Sequence, residues 1–219
     1  MRRRPAVLAA LAGLAAVLVA GCASSVQGTG TVAADAVKPS AAAPSGSPSA
    51  TAAPGRSSLK CTGKAIAPSG APYCFGIPGG FTDVSSSVTI DTSIGNEKFR
   101  SAVAVADRDL IIVTTYSLNA DTDPISADTL EGELKTVLGQ LATQGFTFES
   151  TQAERGTVDG ARSFGYSATQ SKNKLRSRVY FVFRGKSEVE INCQWQEKQA
   201  EVEKGCKAVL DSFQFKTVR

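Results

Sequence analysis

Two windows of the chain repeat their apolar residues with a helical rhythm. Leu130, Leu134, Val137, Leu138 and Leu141 fall on one face of a helix, and Val202, Cys206, Val209, Leu210 and Phe213 make a second stripe. Asp128 followed by Glu131 resembles a capping box at the start of the first helix, and Gly145 supplies its stop. Between and before these windows lie runs of strand length and composition. Phe99 to Ala106 and Leu110 to Leu118 flank the turn-like Asp107-Arg108-Asp109 and predict a hairpin. Phe146 to Ser150, Ala161 to Ala168, Leu175 to Arg184 and Glu188 to Trp195 predict four further strands. The order of strands, helix, four strands and helix predicts an α+β domain, a mainly antiparallel sheet with two principal helices packed on it.

Side-chain parity constrains the last hairpin. Val179, Phe181 and Phe183 share one face of their strand; Val189, Ile191, Cys193 and Trp195 share one face of the next. Opposed residues of a hairpin point the same way, so placing both apolar sets on one side requires an odd-length loop, Gly185-Lys186-Ser187. That register sets Phe183 against Val189, Phe181 against Ile191 and Arg184 against Glu188. Cys193 then faces the core, as does Cys206 on the second helical stripe, and a strand-to-helix disulfide follows.

The N-terminal pattern is different. Arg2 to Arg4 precede an uncharged run from Ala6 to Ala20, which ends in Leu18-Val19-Ala20-Gly21-Cys22. A basic start, a short apolar core and small residues before a cut site predict a secretory signal over residues 1–21. The run is short for a membrane span of about 20 residues. Ala20-Gly21-Cys22 resembles the bacterial lipobox, which implies lipidation at Cys22 and a chain anchored on the outer face of the cytoplasmic membrane. From Ala23 to Ser57 the chain is mostly Ala, Ser, Pro, Gly and Thr without an aromatic. Such a stretch cannot bury enough apolar surface to offset its ordering. Residues 22–57 therefore predict a flexible tether with a span of roughly 30–35 Å, and residues 58–219 a single domain.

Charge and cysteine content narrow the function. The formal net charge is +4, and three of these charges are the signal arginines, so the remainder has no strong drive toward nucleic acid. Lipidation of Cys22 leaves Cys61, Cys74, Cys193 and Cys206, and an exported chain predicts two disulfides in one of three pairings. Cys61–Cys74 with Cys193–Cys206 closes two short local loops, each worth about 3 kcal/mol in the chain-entropy model.

Phe75-Gly76-Ile77-Pro78-Gly79-Gly80-Phe81, the mid-chain helix, the hairpin containing Gly160 and the closing Val209-Leu210-Asp211-Ser212-Phe213-Gln214-Phe215 together resemble PsbP-like domains. The layout of lipobox, Ala/Ser/Pro tether and such a domain resembles actinobacterial lipoproteins of the LpqN type. The resemblance implies a non-enzymatic envelope or assembly factor and supplies no catalytic residue, metal or cofactor.

The chain has no histidine, which removes Ser-His-Asp and Cys-His catalysis and the commonest metal ligand. Ser171 and Lys174 match S-x-x-K, but the partner motifs of penicillin-binding enzymes are missing. Asp121, Asp123 and Asp128 lack the central glycine and terminal glutamate of a calcium loop. The positive signal is a basic stripe: Lys172, Lys174, Arg176 and Arg178 at a spacing of two, continued by Tyr180 and Arg184, which a strand would project from one face. Such a face suits anionic lipids, acidic glycans or an acidic protein patch; the plain alternative is a solvated strand face. A second row, Arg162, Phe164 and Tyr166, could line a groove or pack at the core edge. The expectation is a tethered binding or assembly module for an envelope protein, lipid or glycan. The competing functions are a histidine-independent hydrolase or transferase and a purely structural surface lipoprotein.

Overall fold

The two helical stripes form helices on opposite sides of one antiparallel sheet. The computed structural model describes residues 61, 63–88 and 96–216; the signal segment, Cys22 and the tether lie outside the described residues. The elements run β1 (Ala65–Ile66), β2 (Tyr73–Gly76), β3 (Thr82–Asp83), β4 (Glu97–Ala106), β5 (Asp109–Ser117), α1 (Ala127–Thr143), β6 (Phe146–Phe148), β7 (Glu154–Val158), β8 (Ala161–Gln170), β9 (Leu175–Arg184), β10 (Ser187–Trp195), α2 (Gln199–Ser212) and β11 (Gln214–Phe215). The main sheet has eight strands in the order β3-β4-β5-β10-β9-β8-β6, with β7 also on β8. A three-stranded sheet, β1-β2-β11, stands apart from it. The protein is thus an α+β domain with two helices packed on a mainly antiparallel sheet.

The predicted register of the last hairpin is not the one formed. Gly185 and Lys186 make a two-residue turn, which pairs Ser187 with Arg184, Glu188 with Phe183 and Val189 with Val182. The two apolar sets therefore point to opposite sides. The reason is that both faces of the sheet are covered. Val179, Phe181 and Phe183 pack with Phe164, Tyr166 and the α1 leucines. Val182, Val189, Ile191, Cys193 and Trp195 pack with Val202, Cys206 and Val209 of α2 and with Tyr73, Phe75 and Phe215 of the small sheet. A one-sided sheet needs matched parity; a sheet between two layers does not.

The capping-box assignment also shifts. The N-cap of α1 is Ser126, whose hydroxyl accepts the Thr129 N–H at 3.1 Å. Glu131 reaches outward, accepting the Ala153 N–H at 3.0 Å and pairing with Arg155. One backbone hydrogen bond and one side-chain ion pair of this kind hold the loop before β7 against α1.

Both expected disulfides are formed, Cys61–Cys74 with Cα atoms 6.2 Å apart and Cys193–Cys206 with 5.9 Å. The second ties β10 to α2 and does not depend on the loop parity that was expected with it. The entry to α2 is fixed separately: Asp109 Oδ1 accepts the N–H groups of Gln196, Glu197 and Lys198 at 3.0, 3.0 and 2.7 Å. Desolvation would raise this carboxyl, but the three N–H donors and the Lys198 charge outweigh it and hold it below the usual range.

Close packing under α2 makes a sharp prediction. A Cβ built on Gly205 would lie 2.6 Å from the buried Phe81 ring and 3.3 Å from Ile111. Alanine normally gains about 1 kcal/mol over glycine inside a helix, whereas overpacking costs about 1–3 kcal/mol. Gly205→Ala is therefore expected to destabilise the domain by about 1 kcal/mol, despite its better propensity, measured as a lower urea midpoint at unchanged slope.

Candidate functional site

On the α2 side of the main sheet, cover ends part-way across. α2 lies over β5 and β10, while the same face of β8 and β9 continues beyond it. Cross-strand register aligns the exposed flank in rows: Thr169 with Arg176 and Trp195, Ser167 with Arg178 and Cys193, Gly165 with Tyr180 and Ile191. β8 thus supplies a floor of small residues, and β9 a raised row of Arg176, Arg178 and Tyr180. The smallness of that floor is required at Gly165, where a Cβ would come within 3.1 Å of the Tyr180 ring. Tyr180 lies across this strand, and the Arg178 guanidinium stands 5.7 Å from its ring centre.

Concavities flank the row. One, about 440 Å³, is formed where the β8–β9 connection meets the start of α2, and Lys174, Arg176, Trp195, Gln170, Gln196 and Gln199 are among its walls. A smaller one, about 160 Å³, lies between Glu154, Gly165, Ser167 and Arg178. Arg178 is ion-paired with Glu154 across the second. No ion pair joins Arg176, Lys174 or Lys172 to another described residue.

The basic stripe is therefore shorter as a strand row than its spacing suggests. Lys172 sits in a 3-10 turn over Ser171–Asn173, and Lys174 adopts the left-handed conformation (φ 50) that starts β9. Only Arg176, Arg178, Tyr180 and Arg184 share the strand face. Lys174 nonetheless reaches the larger concavity by its place in the turn. Arg184 does not meet Glu188; it pairs with Asp159 and lies 4.7 Å from the Phe215 ring centre. Ser171 and Lys174 are exposed turn residues with no catalytic partner among the described residues.

The second row is part of the fold. Phe164 and Tyr166 are buried against α1, and the Arg162 guanidinium donates to the carbonyls of Thr122, Asp123 and Ile125, fastening the loop that leads into α1. In that loop Asp121 accepts the Asp123 N–H and Asp123 accepts the Gly185 N–H, while Asp128 pairs with Arg155. The three aspartates thus serve three separate local contacts. No cluster of His, Cys, Asp or Glu suited to a metal occurs among the described residues, and none of their helices is long and apolar enough to cross a membrane.

A buried acidic group escaped the sequence pattern. On the α1 side, β10 presents Glu188, Glu190, Asn192 and Gln194, all buried. Register places Glu188 between Tyr116 and Phe183, and Glu190 between Thr114 and Phe181. Tyr116 Oη donates to Glu190 at 3.5 Å, and Glu97 pairs with Arg100 nearby. Burial pushes the Glu188 carboxyl up to about 8. Burial, then the Glu188 charge, does the same to Glu190 at about 8. Desolvation likewise raises the Tyr116 phenol. Neither glutamate is among the residues lining the two concavities. Their raised affinity for protons belongs to the interior of the sheet.

No protein-family model and no curated protein matches the chain. Among solved structures, the chain is similar to the cyanobacterial PsbP protein (CyanoP) of Synechocystis sp. PCC 6803, at 15% identity and a TM-score of 0.47, covering 73% of this chain and 98% of that one. A Bacteroides thetaiotaomicron protein matches at 11% identity and a TM-score of 0.36, over 71% of this chain and 49% of its own.

Proposed function

We propose that the protein is a non-enzymatic binding or assembly module of the bacterial envelope, anchored to the outer face of the cytoplasmic membrane through a lipid on Cys22. Its contact surface is the uncovered β8–β9 flank, and its partners are envelope proteins, anionic lipids or acidic glycans. One observation carries the reading: a strand row of guanidinium groups stands between two concavities on the part of the face that α2 leaves open. The lipobox-like segment and the resemblance to LpqN-type lipoproteins with a PsbP-like domain support the envelope setting. Carboxylates do stand at the concavities, Glu197 at the larger and Glu149 and Glu154 at the smaller, but Glu154 is ion-paired with Arg178, and the two with raised proton affinity, Glu188 and Glu190, are enclosed within the sheet.

Replacing Lys174, Arg176 and Arg178 by Ser tests the surface. Exposed charges contribute within about 1 kcal/mol to stability, so folding should change little. Partner capture by crosslinking in the native envelope should fall several-fold at low salt. The wild-type signal should also decline as salt shortens the Debye length below about 10 Å. Equal capture with the same salt dependence would reject this surface. Cys22→Ala tests the anchor: the protein should leave the membrane fraction or remain unprocessed. A processed Cys22→Ala protein that still sediments with membrane would reject lipidation there.

A further inference from the structure

We infer that the larger concavity is a binding site for a sugar phosphate, a phosphate-bearing polyhydroxyl group carried by a glycan or a lipid headgroup. This rests on the reading of the β9 flank as the contact surface and assigns the chemistry that its larger concavity accepts.

Two independent features converge on the site. Lys174 and Arg176 line it without an ion pair to any described residue, in contrast to Arg178, which Glu154 neutralises. α2 begins at its wall: Gln199 lines the cavity, and no side chain caps the helix at Lys198. The Asp109 carboxylate, which takes the N–H groups of Gln196, Glu197 and Lys198, already answers the positive field of the helix there. Trp195, only 8% exposed, also lines the cavity, and its Nε1–H has no hydrogen-bond partner. A buried indole donor left unmet is costly, and it lies in a side chain that forms part of this cavity's wall.

Charge alone does not define the ligand. Glu197 on the exposed rim offsets one of the two cations, so a bare phosphate would be held weakly. The cavity, about 440 Å³, is also of small-ligand size rather than that of one ion. Its remaining wall is rich in carboxamides. Gln170 accepts from Asn173 at 2.7 Å, Gln196 donates to the Asn173 carbonyl at 3.3 Å and Gln199 donates to Glu203 at 2.8 Å. Each keeps further donor or acceptor capacity. Groups that both give and accept hydrogen bonds suit hydroxyls, while the cations suit a phosphate.

Trp195 is the chain's single tryptophan, so its indole N–H resonance and its fluorescence report on this cavity directly. With the full chain in detergent micelles, glucose 1-phosphate should shift the indole resonance saturably in the millimolar range or below. Glucose and inorganic phosphate should each bind about tenfold more weakly, since each lacks one set of charge-assisted or neutral contacts. Lys174→Ser with Arg176→Ser should weaken glucose 1-phosphate about tenfold, and Arg178→Ser, already neutralised in the protein, by less than about twofold. Vesicles of phosphatidylinositol in phosphatidylcholine separate the two sources: a response at lower ligand concentration than free glucose 1-phosphate gives identifies a lipid headgroup, and a weaker one a glycan. An unmoved indole, equal binding of inorganic phosphate, or equal loss in Arg178→Ser would overturn the site. Lost partner capture in the triple variant beside a silent indole would remove this site and leave the contact surface standing. Unchanged capture beside a responding indole would do the reverse.

Discussion

Raising the pH from about 5 to about 8.5 should strip several kcal/mol of stability from the domain, and replacing Glu188 and Glu190 by Gln should remove most of that dependence. Both carboxyls are raised from 4.5 to about 8 in the folded protein. The folded state therefore holds protons that the unfolded chain has released. Their contribution is complete below the unfolded value and is lost as pH climbs through the folded one. One such shift corresponds to at most about 5 kcal/mol, and relaxation around the charged groups reduces it. A loss of about 2–4 kcal/mol for the pair is expected. The facing groups make this the right sign. Glu97 and Arg100 come from β4, Tyr116 and Thr114 from β5, and Phe181 and Phe183 from β9. Arg100 and the Tyr116 hydroxyl favour a charged Glu190, but burial and the Glu188 charge outweigh them. Urea midpoints at three pH values decide the matter. If wild type and the double Gln variant lose stability in parallel, the two carboxyls are not the titrating groups.

Cys193→Ala with Cys206→Ala should cost about 3 kcal/mol, the chain-entropy value for a loop of this length. The bond joins the β10 face directly to the inner stripe of α2. Its loss also frees the helix that covers Ile111, Val113 and Val189. Cys61–Cys74 spans the same sequence separation of 13, so removing it makes a matched control. Equal losses would mean that loop closure alone matters. A larger loss at Cys193–Cys206 would measure the hold on α2. Both variants should be compared with wild type under non-reducing conditions, by thermal or urea unfolding. A loss below about 1 kcal/mol at Cys193–Cys206 would contradict the expectation.

What the sequence disclosed and concealed follows from burial. The α1 stripe was readable because its outer face is polar, giving a clean helical period. The pairing of Cys193 with Cys206 was readable because both lie on apolar stripes. The hairpin register was not, since alternation identifies a face only when one face is wet. Glu188, Glu190, Asn192 and Gln194 have the spacing of a solvated edge, yet they are covered. The residue pattern did not give β7, which only the hairpin at Gly160 in the family resemblance implied, because Glu154, Arg155, Gly156 and Thr157 are exposed and carry no apolar alternation. The strand row of Arg176, Arg178 and Tyr180 was legible from its period of two. Its concavities were not, because the Trp195 and Gln199 walls come from elements far along the chain, and only the register of β9 with β10 brings them beside Arg176.

Chain connectivity gives the sheet an uneven assembly history. β4–β5, β7–β8, β8–β9 and β9–β10 join neighbours in sequence, so each can zip outward from its own turn. β5–β10 is different, since it brings position 117 against position 187. Closing a loop of roughly 70 residues costs about 3 kcal/mol more than closing a two-residue turn. Two ribbons can therefore form early and independently, while their junction must wait for a collision between distant parts of the chain. Glu190, Tyr116 and the cover of α2 all lie on that junction. Refolding speed should depend on contacts there far more than on the strength of any single hairpin.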